Sequence, residues 1–174
     1  MRNQKSDELD GLDLLQQTPA IIRLLMRELD HEDAVWKPAP DRFSVAEVVA
    51  HLSHGEDHCY RMRVERFLSE EKPEFEPDDA QMHLDLYRGA DPQVSYARFA
   101  EQRKANVGFL RTLTRRDGER RARLTTTGEI TLQQMLHEWA MHDLGHIRQI
   151  AELVRARKHW RQAGPLGEEY RLKP

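Results

Sequence analysis

The sequence predicts an all-α protein, a four-helix bundle with long connections between its helices. Apolar residues recur at three- and four-residue spacing along four separate stretches, which is the period of a helix that buries one face. Two of these stretches open with a capping box, the side-chain pattern that starts a helix. The 174 residues fit a single domain spanning 1–174, with irregular structure expected at residues 1–6 and 159–174.

The first helix is predicted from a short helical stretch that opens at Leu9. Thr18 followed by Pro19 is the pattern of a helix that either continues or restarts there, with threonine as the cap. Apolar residues then recur at helical spacing as far as Leu29. The following segment, residues 30–43, contains two prolines and several acidic residues and predicts a loop.

The second helix is predicted from Ser44 to about Glu70. Ser44 and Glu47 form a capping box, in which the serine oxygen accepts from the glutamate amide and the glutamate carboxylate accepts from the serine amide. Pro73 lies just beyond the predicted end, where a proline stops a helix. Residues 71–92 are rich in acidic residues and prolines, so they predict a long connection.

The third helix is predicted from Gln93 to Arg116. Its expected buried stripe consists of Tyr96, Phe99, Val107, Leu110 and Leu113. Gly118 and the threonine run 125–127 interrupt the helical pattern, and the residues between them are expected to be extended. This strand signal is too short to change the fold class.

The fourth helix is predicted from a second capping box, formed by Thr131 and Gln134, to about Lys158. Beyond it the tail from His159 contains glycines and a proline and is expected to be irregular. Four long helices in one domain indicate a bundle.

Three of the nine histidines are placed to bind one metal ion. His142 and His146 are four residues apart, about 40° around the fourth helix, at the edge of its apolar face. His51 lies at the edge of the apolar face of the second helix and is better placed than His58 or His54. Neutral imidazoles from two helices can hold one divalent ion with a coordination position left open. A hydrogen-bonded structural histidine is the alternative for each residue.

Asp143 and Gln149 are candidates to orient the metal-binding imidazoles. Asp143 falls near the middle of the buried face of the fourth helix, where a carboxylate requires a partner, so a buried hydrogen bond or ion pair that holds the bundle together is an equal alternative. Gln149 points near the edge that carries the histidines. The single cysteine, Cys59, falls within an apolar face and is expected in the core. We assign no catalytic residue from the sequence.

The charge balance argues against two classes of partner. The net charge is −3 and the isoelectric point is about 6.3, and the local run of arginines between residues 115 and 123 is balanced by acidic residues, so nucleic-acid binding is not predicted. No apolar stretch reaches 18 residues, so no membrane association is predicted. A lone cysteine suits a cytoplasmic location.

Two stretches resemble signatures of the DinB-like family, including its YfiT-like and thiol-transferase branches. Residues 43–52, FSVAEVVAHL, are similar to the family pattern W-S-V-x-E-x-x-x-H-L, with Phe43 in place of tryptophan. Residues 142–150, HDLGHIRQI, are similar to the pattern H-x-x-x-H-x-x-Q-I. The similarity extends from about Thr18 to Leu153, which is most of the chain.

The resemblance implies a four-helix bundle that holds one divalent ion, zinc or nickel, through His51, His142 and His146, and that often forms homodimers. It favours a metal-dependent transferase that acts on a small-molecule substrate, a low-molecular-weight thiol. A hydrolase that activates water at the metal is the second enzymatic possibility. The alternative is a non-catalytic, stress-related protein that binds a metal or a small molecule.

Overall fold

The computed structural model describes residues 7–77 and 83–169, and it is mostly helical, as the sequence predicts. The elements are, in chain order, α1 (Leu12–Met26), α2 (His31–Val35), α3 (Val45–Gly55), a π-helical segment (Glu56–Arg61), α4 (Met62–Ser69), β1 (Glu74–Phe75), α5 (His83–Leu86), α6 (Pro92–Leu110), α7 (Arg115–Gly118), β2 (Arg121–Leu124), β3 (Gly128–Thr131), α8 (Leu132–Val154), a second π-helical segment (Arg155–His159) and a 3-10 helix (Gly164–Glu169).

Helix α1 runs without a break through Pro19, so the helix continues at Thr18, which is the first of the two predicted possibilities, and does not restart there. Proline has no N–H to donate to the carbonyl four residues earlier, which is that of Leu15. In the fold this carbonyl accepts a hydrogen bond from Nη1 of Arg103 at 2.9 Å. The Thr18 side chain is buried, and its hydroxyl lies 2.6 Å from a carboxylate oxygen of Asp143. Tertiary contacts therefore replace the missing backbone donor and bury the residue that was predicted to cap.

The second predicted helix is confirmed from its capping box at Ser44 to its end at Ser69. The Ser44 amide donates to Oε2 of Glu47 at 2.8 Å, and the Glu47 amide donates to Oγ of Ser44 at 3.2 Å. Between α3 and α4 the backbone takes the wider π-helical turn, which the sequence does not predict. Segments of this kind are frequent at functional sites, and this one includes the buried carboxylate of Glu56.

The connections hold more secondary structure than the sequence predicts. Helix α6 ends at Leu110 instead of near residue 116, because Thr114 and Asp117 form a further capping box that starts α7. Asp30 caps the short helix α2 inside the predicted loop. The tail, which was expected to be irregular, contains the 3-10 helix.

A small three-stranded sheet joins the long connection to the segment before α8. Strand β1 pairs with β2 in parallel, and β2 pairs with β3 in antiparallel orientation. Strand β2 confirms the extended segment predicted after Gly118, whereas β1 and β3 were not predicted.

The buried side chains form two apolar clusters within the bundle. One cluster contains Trp139, and the other contains Phe99. The guanidinium of Arg103 lies between them, 5.1 Å from the Trp139 ring centroid and 5.0 Å from that of Phe99. Helix α1 packs against α6 and α8, and α3 packs against α6. None of the described helices is long and apolar enough to cross a membrane.

Candidate metal centre

Three imidazoles converge on one point where α3 meets α8. His51 lies on α3, and His142 and His146 occupy successive turns of α8. The Nε2 atom of His142 lies 3.1 Å from Nε2 of His51 and 3.1 Å from Nε2 of His146. Candidate ligand atoms of the three residues all lie within 4.8 Å of one another. The fold therefore brings together the three histidines that the sequence singles out.

This spacing fits a single divalent ion. Imidazole nitrogens bind zinc at about 2.0–2.1 Å, so two of them lie about 3.4 Å apart on a tetrahedral ion and about 3.0 Å apart on an octahedral one. The two nitrogen–nitrogen separations of 3.1 Å agree with these values. A neutral imidazole carries one N–H group and one lone pair, so three Nε2 atoms that face one another cannot all be satisfied by hydrogen bonds among themselves. A shared cation satisfies all three lone pairs.

The surroundings keep the imidazoles of His142 and His146 neutral, which is the form that binds metal ions. Burial, with smaller contributions from His146, His51 and Arg103, lowers the pKa of His142 to about 3. Burial also lowers the pKa of His146, against the opposing effect of its hydrogen bond with Gln149. At neutral pH the cluster therefore offers nitrogen lone pairs to a cation.

Gln149 fixes the tautomer of His146. Its Oε1 atom lies 2.9 Å from Nδ1 of His146, one turn away on the same helix. A carbonyl oxygen only accepts hydrogen bonds, so the imidazole proton is on Nδ1 and the lone pair of Nε2 faces the other two histidines. This is the arrangement expected of a residue that orients a metal ligand.

Replacing Gln149 with leucine is expected to weaken metal binding about 10- to 100-fold, because the imidazole then loses the acceptor that sets its tautomer and ring orientation. Competition with a chromophoric chelator measures this affinity. Gln133→Leu makes the same change on the same helix, where the glutamine binds the backbone of Asp10, and it should leave metal affinity unchanged. Equal affinities for the two variants would contradict the role of Gln149.

Asp143 forms the buried ion pair that the sequence left as an alternative to orienting an imidazole. Its Oδ2 accepts from Nη1 of Arg103 at 2.5 Å, and its Oδ1 accepts from Nη2 at 2.9 Å. Arg103 also donates to Oε1 of Glu56 at 2.6 Å, and Oε2 of Glu56 accepts from Asn106 at 2.9 Å. Asp143 follows His142 directly and is therefore rotated about 100° from it around α8, away from the imidazoles.

The other histidines whose side chains the structure describes lie apart from this cluster. His54 and His58 stack on each other, with ring centroids 4.2 Å apart. His137 is exposed, and His31 begins α2 and does not lie in a loop as expected. The side chain of His83 lies outside the described residues.

The three imidazoles form part of the wall of a cavity of about 560 Å³. Most of the remaining wall is apolar and is formed by Phe43, Cys59, Pro77, Leu124, Ile130 and Met135. Cys59 is buried in the core, as predicted, and also borders this cavity. The polar side chains in the wall belong to Tyr60, Arg63, Thr127, Gln134 and Glu138. A small molecule can therefore reach the point on which the imidazoles converge.

Glu138 is a cavity residue that the sequence predictions missed. It precedes His142 by four residues, as His142 precedes His146, and this regular spacing along one face of α8 is the signal that could have found it. The side chain is exposed to the cavity, and Oε1 accepts from the hydroxyl of Tyr60 at 3.4 Å. Burial raises the pKa of Glu138, while the hydrogen bond from Tyr60 and the charge of Arg63 oppose that rise. A carboxyl group with a raised pKa is suited to proton transfer near neutral pH.

Comparisons with known proteins agree with this fold. The chain is 28% identical to YfiT from Bacillus subtilis, whose structure is described as a probable metal-dependent hydrolase with an unusual four-helix bundle topology. The two structures match with a TM-score of 0.73 over 83% of this chain and 84% of that chain. A protein of Oceanobacillus iheyensis, provisionally named a metal-dependent hydrolase, is 24% identical over 147 residues, which is 84% of each chain.

A family model gives the assignment. The model described as the DinB superfamily matches residues 14–150, which include most of α1, all of α3 and α6, and the three clustered histidines. The resemblance found in the two sequence signatures is thereby confirmed over most of the chain. This protein belongs to the DinB superfamily.

Proposed function

We propose that this protein binds one divalent ion, zinc or nickel, through His51, His142 and His146 and uses it to hydrolyse a small-molecule substrate. The proposal depends on the convergence of three Nε2 atoms at the wall of a cavity of about 560 Å³. The Nε2 atom of His142 lies 3.1 Å from the Nε2 atoms of His51 and of His146. The descriptions of the two relatives as metal-dependent hydrolases support hydrolysis over another metal-dependent reaction.

The residues around the cluster have separate tasks in this proposal. A divalent ion on three neutral imidazoles supplies a Lewis acid that lowers the pKa of water towards 7 and polarises a carbonyl group. Gln149 keeps the Nε2 lone pair of His146 directed at the ion. Glu138 accepts the proton of the attacking water molecule. The apolar part of the cavity wall holds the nonpolar part of the substrate and limits access of bulk water.

Glu138→Gln is expected to reduce kcat about a hundredfold while the metal content stays unchanged, because an amide cannot take up the proton. The wild-type rate should rise with pH as the Glu138 carboxyl ionises, and its raised pKa moves this rise towards neutral pH. The variant should lack that rise. Glu152→Gln, an exposed position on α8, is the control for a change of charge on the same helix. A Glu138→Gln variant with the wild-type pH profile would exclude the proton-transfer role.

A thiol transferase is the second candidate, because the same three imidazoles and the same cavity could hold a low-molecular-weight thiol. A metal ion deprotonates a coordinating thiol, which then attacks an electrophile. The non-catalytic alternative, a metal or small-molecule binding protein, uses the same site without turnover. Only the fate of a bound substrate distinguishes the three.

The deciding experiment begins with protein purified without a histidine tag and analysed for bound metal. The metal-loaded protein is then incubated with a panel of esters and amides, and separately with a panel of thiols and a generic electrophile. Turnover of the first panel supports hydrolysis, and turnover that requires a thiol supports the transferase. In either case activity should disappear in His146→Ala. Bound metal without turnover on either panel would favour the non-catalytic alternative. Absence of metal binding would contradict both enzymatic candidates and leave only a protein that binds a small molecule.

The homodimer and the cytoplasmic location stay predictions from the family resemblance and the cysteine content. Analytical ultracentrifugation of the metal-loaded protein tests the first of these.

A further inference from the structure

The cavity extends along two helices away from the three imidazoles. On α3 and its continuation into α4, the residues that line it recur every four positions: His51, Gly55, Cys59 and Arg63. On α8 they recur in the opposite direction: His146, His142, Glu138 and Gln134. At no more than about 1.5 Å per residue, because the π-helical segment rises less than an α-helix, the backbone of Arg63 is at most roughly 18 Å along its helix from that of His51. The cavity is therefore elongated, with the histidine cluster and Arg63 far apart along it.

Arg63 places an oriented positive charge in this cavity wall. Its Nη2 donates to the backbone carbonyl of Glu76 at 2.8 Å, and its guanidinium lies 5.5 Å from the ring centroid of Phe75. It forms no ion pair with a carboxylate in the part of the chain that the structure describes, whereas Arg66 on the same helix is paired with Glu70. A guanidinium has five N–H groups, so Arg63 has donors left for a ligand.

We propose that the cavity selects substrates with a carboxylate at the end remote from the reacting bond, and that Arg63 binds this carboxylate. The fork of a guanidinium matches the two oxygens of a carboxylate. The single guanidinium balances the single charge of a carboxylate, whereas a doubly charged phosphate on Arg63 would keep a net negative charge in the cavity that Glu138 also lines. Leu124, Ile130 and Met135 supply apolar wall for the carbon chain between the two ends.

This inference rests on the proposed function only for the reacting end of the substrate, and a binding experiment tests the carboxylate end by itself. The metal-loaded protein is titrated calorimetrically with straight-chain dicarboxylates from succinate to suberate, each compared with the monocarboxylate of the same length. Both probes have one carboxylate that can bind at the metal end. The ratio of the dicarboxylate affinity to the monocarboxylate affinity therefore measures the contribution of the second carboxylate to binding. At one chain length we expect a preference for the dicarboxylate of about tenfold or more.

Arg63→Gln is expected to abolish this preference, and Arg63→Lys to retain part of it because the charge stays. Arg66→Gln removes a paired arginine that does not line the cavity, so it should leave the preference intact. Circular dichroism of each variant confirms that the fold is retained. Equal affinities of dicarboxylate and monocarboxylate in the wild type, or a preference that survives Arg63→Gln, would overturn the proposal.

A kinetic experiment tests the role of Arg63 separately from the proposed hydrolysis. The two substrates are the mono-para-nitrophenyl ester of the dicarboxylate whose chain length gives the largest preference in the titration, and the para-nitrophenyl ester of the monocarboxylate of the same length. Arg63→Gln should raise KM for the ester that carries the carboxylate about tenfold and leave KM for the neutral ester within about twofold of the wild type. If neither ester is hydrolysed, hydrolysis of such esters fails as a function, while the dicarboxylate titration still tests Arg63. Equal effects on both esters would count against Arg63 as the carboxylate-binding residue.

Discussion

Replacing His142 with alanine is expected to abolish both metal retention and activity. The Nε2 atom of His142 lies 3.1 Å from Nε2 of each of the other two histidines, so it is the central donor of the cluster. Structural zinc sites bind Zn²⁺ with a free energy of about 10–16 kcal/mol. The loss of one ligand in three should weaken this binding by several kcal/mol, which lowers the affinity about a thousandfold or more. Elemental analysis after dialysis against a weak chelator measures the loss.

His137→Ala is the matched control, because His137 is an exposed histidine on the same helix outside the cluster. This variant should retain one metal ion per chain and full activity. Added zinc should raise the melting temperature of the wild type and of His137→Ala, since a ligand that binds the folded state stabilises it, and should have little effect on His142→Ala. Retention of metal by His142→Ala with wild-type affinity would end the assignment of this cluster.

Replacing Arg103 with methionine is expected to lower the free energy of unfolding at pH 7 by about 3–5 kcal/mol. The guanidinium is almost fully buried and is hydrogen-bonded to the carboxylates of both Glu56 and Asp143 and to the carbonyl of Leu15. Methionine fills most of the volume but leaves two buried carboxylates without their cation, and an uncompensated buried charge costs several kcal/mol. Urea denaturation followed by circular dichroism measures the change.

The difference in the free energy of unfolding between the wild type and Arg103→Met should become smaller as the pH falls. Burial raises the pKa of Glu56 in the wild type, and the charge and hydrogen bonds of Arg103 oppose that rise. Without Arg103 the pKa of this carboxyl in the folded state rises further above its unfolded value. Protonation then favours the folded state, so the variant recovers stability as the pH falls towards the unfolded pKa of about 4 and loses it as the pH rises through the folded pKa. Unfolding curves between pH 5 and pH 7 test this sign.

Arg98→Met is the control for losing an arginine from α6, because Arg98 is exposed on the same helix. Its stability should stay within about 0.5 kcal/mol of the wild type. A second check adds Glu56→Gln and Asp143→Asn to Arg103→Met, which removes both stranded charges and should recover part of the lost stability. A deficit in Arg103→Met that is below about 1 kcal/mol, or that does not change with pH, would contradict the charge argument.

The three clustered histidines could be selected from the sequence because each of them follows from local helix geometry. Capping boxes at Ser44 and Thr131 locate the starts of the two helices, and the apolar period then gives the direction of every side chain. Histidines at the edges of two apolar faces meet when those faces pack together. In the structure the Nε2 atom of His142 lies 3.1 Å from the Nε2 atom of each of the other two histidines.

Arg63 could not be selected in the same way, because charged residues at the edge of a helix normally face solvent. The spacing of Glu138 from His142 gives the direction of its side chain but no reason to assign it a role. The significance of both residues depends on the cavity between α8 and the continuation of α3, and this cavity is closed on another side by residues of β2 and β3. The sequence predicts neither the pairing of those strands nor their position against the helices. The two side chains therefore became candidates only when the wall of the cavity was known.

The sequence alone determined the helix boundaries set by capping, the helical class and the helix faces that carry histidine, because these features depend on residues within a few positions of one another. The tertiary structure decided which residues pair with the buried charges and how the helix continues through Pro19. Arg103 reaches Asp143 across 40 positions and the Leu15 carbonyl across 88, so the partner that satisfies each group comes from another helix. Burial makes such partners obligatory, and only the packed bundle shows which residues supply them.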